Sequence, residues 1–189
     1  LKNFILGSGS PRRRELLAEL LTDFRVVVSD AGEMVSHPDG PVQLVQENAT
    51  LKARSVANLH PENWVLGADT LVALGETVLG KPKDMKEAYS MLRLLSGQTH
   101  EVSTGLCLIN RGQNYERSLV ESSRVTFKHI NDEILEKYFQ EVNPLDKAGG
   151  YAIQTRADLI VEKFEGSYSN VIGLPLELLG AWLKELNIC

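Results

Sequence analysis

Two hairpins break an otherwise regular alternation of strands and helices. This mixture constrains the fold more than any other feature of the sequence. WVLGADTLVAL (64–74) reads as a strand interrupted by Gly67 and the polar trio Ala68-Asp69-Thr70, with ETVLGKP (76–82) as its hairpin partner. Residues 99–109 and 114–128 read as two long strands around a turn at Asn110-Arg111-Gly112. Hairpins pair antiparallel, whereas strands separated by a crossover helix pair parallel. A chain that has both predicts the α/β class with a mixed sheet.

The remaining elements fill this frame. Residues 3–7 read as a buried strand. Ser10 is a good N-cap, and Pro11 occupies the first helical position, where proline is favoured. That helix is expected to run to about Leu21, followed by a strand over FRVVV (24–28) and a polar loop over 29–40 that carries Glu33. Pro41 starts a long helix to about Leu59. Asp84 caps a helix that stops at Ser96-Gly97, and Asn131 or Asp132 caps another that ends near Val142. KAGGYAIQ (147–154) reads as a Gly-rich loop, LIVEKFEG as a strand, and Leu174 to Leu186 as the last helix.

A length of 189 residues predicts one domain, or one domain with two lobes, large enough to bury a core without staples. Apolar residues make up 43% and the net charge is −5, so no global basic field attracts nucleic acid. The two cysteines form neither a disulfide framework nor a zinc spacing. Cys107 is expected in the core and Cys189 as a free thiol, which suits a reducing, cytoplasmic compartment. The apolar start FIL is too short for a signal peptide, and no run approaches membrane-spanning length. The first residue is Leu1 rather than Met, so one or more residues are expected ahead of it.

Inside this acidic chain, GSGSPRRR (7–14) places three arginines in the first turn of a helix, where the dipole disfavours cations by about 0.3–1 kcal/mol each. On a helical wheel Leu16, Leu17, Leu20 and Leu21 define the apolar face. Arg13 falls near the centre of that face, Arg12 and Arg14 flank it, and Arg14 reads as surface. An inward arginine needs a partner, either a buried carboxylate or a bound anion. The free N–H groups of a helix start and the hydroxyls of Ser8 and Ser10 favour the anion.

Other candidates are ambiguous on their own. Asp69 is either a turn aspartate capping an N–H or a functional carboxylate at the end of a buried strand. Glu33 alone reads as solvated surface, and Lys81 in GKP as a turn lysine. Lys52 has Ala49, Ala53 and Val56 as helical neighbours and is expected to snorkel from an apolar face unless a site recruits it. Gln154 either hydrogen-bonds a base or satisfies a neighbouring strand. His37 and His100 have no zinc-type spacing. No GxSxG elbow or GxxxxGK[ST] loop occurs, which excludes the common serine hydrolases and P-loop enzymes.

Taken together, SGSPRRRELL (8–17), Glu33, the LKA around Lys52, GADTLV (67–72), GKP (80–82), LSGQTHEVSTG (95–105), DKAGGYAIQ (146–154) and GSYSNVIGLPL (166–176) resemble, in order and over nearly the whole chain, one family: the Maf proteins. These are house-cleaning nucleoside triphosphate pyrophosphatases related in fold to the inosine triphosphate pyrophosphatases. The resemblance implies a single Maf-like domain over 1–189, with a mixed twisted sheet flanked by helices and two lobes around a cleft. It implies hydrolysis of a nucleoside triphosphate to the monophosphate and pyrophosphate with Mg²⁺ or Mn²⁺, in a homodimer. Asp69 maps to the catalytic carboxylate, and Ser8, Arg13, Glu33, Lys52, Lys81 and Gln154 map to other active-site positions. Arg12, Thr70 and Gln154 match the positions that separate the branch acting on dTTP, UTP and modified pyrimidine nucleotides from a sister branch acting on 7-methyl-GTP. That sister branch resembles SPYR, ADQ and a glutamate, where this chain has SPRR, ADT and YAIQ. Gly7 departs from the family's frequent alanine, just before the turn.

The chemistry suits these residue types. Attack of water on the α-phosphorus needs neutralised phosphates and a stabilised leaving group. Arg12, Arg13, Lys52 and Lys81 supply cations, and Glu33 and Asp69 supply oxygen ligands for a divalent metal. Asp69 fits either a metal ligand or a base that activates water. A nucleotide-sensing regulator of cell division or septum formation is the alternative. It needs no water-activating carboxylate. A third reading, GSGSPRRR as a contact for nucleic acid or a partner protein, runs against the net charge and the lack of a second basic cluster.

Overall fold

The computed structural model describes residues 3–188; Cys189 lies outside them. Seven strands form one mixed sheet: β1 (Phe4–Leu6), β2 (Arg25–Val26), β3 (Trp64–Leu74), β4 (Thr77–Leu79), β5 (Thr99–Asn110), β6 (Tyr115–Phe127) and β7 (Val161–Glu165). Their order is β2-β1-β3-β5-β6-β7, with β4 paired to β3. β1 pairs parallel with β2 and β3, while β3/β4 and β6/β7 are antiparallel. The helices are α1 (Pro11–Ala18), α2 (Pro41–Leu59), α3 (Met85–Leu95), α4 (Asp132–Glu141), α5 (Ala157–Ile160), α6 (Tyr168–Ile172) and α7 (Leu176–Glu185).

The chain divides into two compact units. Among the described residues, the first comprises 3–70, Thr104–Glu121 and 167–188, the second Leu71–Ser103 and Ser122–Gly166. In the first unit, successive residues of each strand point to opposite faces of the sheet. Phe4, Leu6, Leu66, Leu106 and Leu108 pack with Leu16 and Leu17 of α1 and Leu179, Trp182 and Leu183 of α7. Ile5, Val65, Cys107 and Ile109 pack with Ala49, Ala53, Val56 and Ala57 of α2. Strands buried on both faces explain the near-continuous apolar runs of the sequence, and they place Cys107 in the core as expected.

Gly67 does not interrupt β3, which runs unbroken for 11 residues. A Cβ at Gly67 would collide with the backbone of Ala49 and Ala53, and one at Gly105 with that of Val45. These glycines let α2 lie directly against β3 and β5. The small side chains Ala49 and Ala53 serve the same close approach from the helix side.

Three other expectations shift. The first helix stops at Ala18 rather than Leu21, with Glu19 and Leu20 in a closing turn. FRVVV contributes only Arg25 and Val26, at the sheet edge beside β1. LIVEKFEG opens with the helical turn α5 before β7 begins at Val161. Most predicted caps form: Ser10 accepts from Arg13 N–H, Asp84 from Glu87 N–H, and Asn131 rather than Asp132 from Ile134 N–H. Among the described residues no helix is long and apolar enough to cross a membrane.

The second unit buries His100 almost completely, edge-on to Phe127 and Tyr151. Its Nε2 shares a 2.8 Å hydrogen bond with the Tyr151 hydroxyl, and its Nδ1 has no hydrogen-bond partner among the described residues. Burial pulls the imidazole pKa from 6.5 down to about 4. Between those values the unfolded chain binds a proton that the folded chain refuses. Stability is therefore full above pH 6.5 and falls as the pH drops toward 4, by about 3 kcal/mol in total. Urea unfolding at a series of pH values should show this loss in wild type and a shallower slope in His100→Gln. Equal slopes would contradict it.

Candidate active site

Three candidate side chains, Asp69, Lys52 and Glu33, meet near the close contact that Gly67 permits. Asp69, on β3, is 9% exposed. Its Oδ1 accepts from Lys52 Nζ of α2 at 2.7 Å. The same ammonium lies 2.7 Å from Glu33 Oε1, on the loop between β2 and α2. One lysine thus bridges two carboxylates, and the Lys52 and Asp69 side chains are only 12% and 13% exposed. Asp69 sits within a strand and caps no turn. Lys52 reaches a carboxylate pair rather than only snorkelling.

The sequence reading missed Asn48. This residue is 4% exposed and donates from Nδ2 to Asp69 Oδ2 at 3.3 Å. It also accepts from Met34 N–H at 2.8 Å and donates to Met34 C=O at 3.1 Å. Asn48 therefore holds the loop that carries Glu33 and orients the Asp69 carboxylate. The available signal was its place four residues before Lys52, which puts both on one helix face.

Among the described residues, the guanidinium of Arg13 contacts four neutral oxygens and no carboxylate. Nε donates to Gly173 C=O at 2.8 Å. Nη1 donates to Ala68 C=O at 2.9 Å and to Ser8 Oγ at 3.2 Å. Nη2 donates to Thr70 Oγ1 at 2.9 Å. Burial lowers the pKa of the group, and the nearby charge of Asp69 raises it. Among the described residues four of the five N–H groups are engaged, and one Nη2–H remains to meet a ligand.

The helix start offers an anion fewer amides than the sequence suggests. Pro11 has no N–H, and Ser10 takes that of Arg13 at 3.4 Å. Ser8, 7% exposed, accepts from Ser10 N–H and Arg13, which leaves its own proton to donate. Arg12 is half-buried and Arg14 exposed, as the wheel placed them.

Lys81 and Gln154 belong to the second unit and are both exposed. Their segments are tied together, since Gly149 N–H donates to Gly80 C=O at 3.0 Å. The Tyr138 hydroxyl satisfies both backbone groups of Ala152, accepting its N–H at 2.8 Å and donating to its C=O at 3.1 Å. With the bond from His100 to Tyr151, these contacts fix the backbone just ahead of Gln154.

Among the described residues no group of three or more His, Cys, Asp or Glu could hold a metal ion. Glu33 and Asp69 are a two-carboxylate set with oxygen donors only. Such a set fits a hard divalent cation that takes its other ligands from water and phosphate, as Mg²⁺ does.

Comparison with known proteins finds relatives over nearly the whole chain. The family model described as Maf-like protein matches residues 3–186. The chain belongs to the Maf family. Relatives named dTTP/UTP pyrophosphatase include one from Bacillus cytotoxicus, 43% identical over 99% of this chain and 97% of the relative. Another from Myxococcus xanthus is 48% identical over 97% of this chain and 92% of the relative. A third, from Thermococcus gammatolerans, is 45% identical over 97% and 96%. The Staphylococcus aureus Ham1 protein shares the fold, with a TM-score of 0.59 at 11% identity over 97% of this chain and 98% of that one. This Maf chain therefore has the mixed-sheet architecture that its sequence implied.

Proposed function

We propose that this Maf protein hydrolyses dTTP, UTP and modified pyrimidine nucleoside triphosphates to the monophosphate and pyrophosphate. The observation that carries the reading is the Asp69 carboxylate, held by Lys52 and Asn48, two residues after Gly67 and next to Ala68, whose carbonyl Arg13 binds. The water-activating group and the Ser8/Arg13 cradle are thereby fixed to one strand.

Water attacks the α-phosphorus, and its proton passes to the carboxylate of Asp69. The bond from the α-phosphorus to the bridging oxygen breaks, and pyrophosphate leaves with that oxygen. Ser8 donates to a phosphate oxygen, while Arg12, Lys52 and Lys81 offset the charge of the triphosphate. A divalent cation held by Glu33 and Asp69 supplies further charge neutralisation when bound. Arg12, Thr70 and Gln154 set the preference for pyrimidines. The protein acts as a cytoplasmic homodimer on a small-molecule nucleotide substrate.

Pyrophosphate release from dTTP, UTP and 7-methyl-GTP, with Mg²⁺ or Mn²⁺, tests the reading. Turnover of dTTP and UTP well above 7-methyl-GTP is expected. Tight nucleotide binding without turnover would instead mark a sensor of the kind proposed for septum formation.

A further inference from the structure

Thr104 lies on β5, wholly buried. Its hydroxyl has one proton, and the Asn170 carbonyl at 3.1 Å can only accept. The Thr104 proton therefore points to Asn170, and Thr104 Oγ1 accepts from Thr70 Oγ1 at 2.9 Å. The Thr70 proton is committed in turn, so its lone pairs face Arg13 Nη2 at 2.9 Å. Among the described residues the competing acceptor for Thr70 is Gly173 C=O, 3.5 Å away, beyond the usual O–H···O range. The four groups form a one-way chain: Arg13 to Thr70, Thr70 to Thr104, Thr104 to the Asn170 carbonyl. It ends on α6, the same segment whose Gly173 carbonyl takes Arg13 Nε.

We propose that Thr104 is a positioning residue that sets the polarity of the Thr70 hydroxyl and thereby seats the Arg13 guanidinium against Ser8 and the Ala68 carbonyl. Thr70 then influences substrate choice by placing Arg13, because its own proton is not available to a base. Groups locked by such partners are what hold a phosphate cradle to productive geometry. The kinetic consequence rests on the pyrophosphatase reading above; the hydrogen-bond chain does not.

Thr104→Val keeps the shape and removes the hydroxyl, whereas Thr104→Ser keeps the hydroxyl. Two measurements separate them. The first is solvent exchange of the Arg13 side-chain N–H groups by NMR in the nucleotide-free protein. Thr104→Val should speed exchange by about tenfold or more, and Thr104→Ser should stay near wild type. The second is kcat/KM for dTTP, where Thr104→Val should lose about tenfold, chiefly in kcat, while Thr104→Ser recovers most of it. Thr70→Val should add little to Thr104→Val, because both cut one chain. Unchanged exchange in Thr104→Val, or equal losses in the valine and serine variants, would overturn the proposal. If wild type fails to release pyrophosphate from dTTP or UTP, the functional reading falls, and the exchange measurement still decides the role of Thr104.

Discussion

Asp69→Asn should lower kcat for dTTP by about 10²–10⁴-fold, the range for loss of a positioned general base. The substitution is isosteric, so the packing around β3 survives. Lys52 keeps Glu33 at 2.7 Å and is not left as an unpaired buried charge. The new amide must turn its NH₂ toward either Lys52 or the Asn48 amide, both donors at this site. The local lysine–carboxylate geometry loosens, but the melting temperature should move by only a few degrees, about the effect of 1 kcal/mol in a domain of this size. Steady-state pyrophosphate release and thermal unfolding measured on one preparation separate the two effects. Near-wild-type turnover in Asp69→Asn would remove Asp69 from the mechanism. A collapse in stability would make it a structural ion pair.

Much of this arrangement is legible along the chain, and the exceptions have physical causes. Pro41 to Leu59 reads as a helix because proline at its start and a persistent apolar face act locally. FRVVV misleads because apolar runs usually mean burial. At the sheet edge β2 pairs with β1 over two residues, and Val28 beyond it is 67% exposed. Gly67 reads as a break because its effect is long-range: it removes a Cβ that α2 would strike. The candidate site divides the same way. Residue type and motif order point to Asp69, Glu33 and Lys52. Asn48 and Thr104 carry no charge, and their importance lies in which partner each hydroxyl or amide meets. The wheel shows that Arg13 points inward. It cannot show that the acceptors are backbone carbonyls 55 and 160 residues away in sequence.

Those acceptors lead to a different expectation for Arg13→Ala than a phosphate ligand alone would. Gly173 and Ala68 are buried, and their carbonyls depend on the guanidinium, so truncation leaves two acceptors short of a partner. Each such group costs about 1–3 kcal/mol, so Arg13→Ala should lose about 2–6 kcal/mol of stability without any nucleotide present. The corresponding fall in melting temperature is about 4–24 °C. Turnover should be lost as well, because Ser8 and the strand segment before Asp69 lose the group that holds them. Arg13→Lys should recover little, since one ammonium cannot reproduce a planar fork that serves four oxygens. Differential scanning calorimetry of the nucleotide-free variants decides the point. An unchanged melting temperature with weakened nucleotide binding would show that water replaces the guanidinium at both carbonyls and that the role of Arg13 is to bind phosphate.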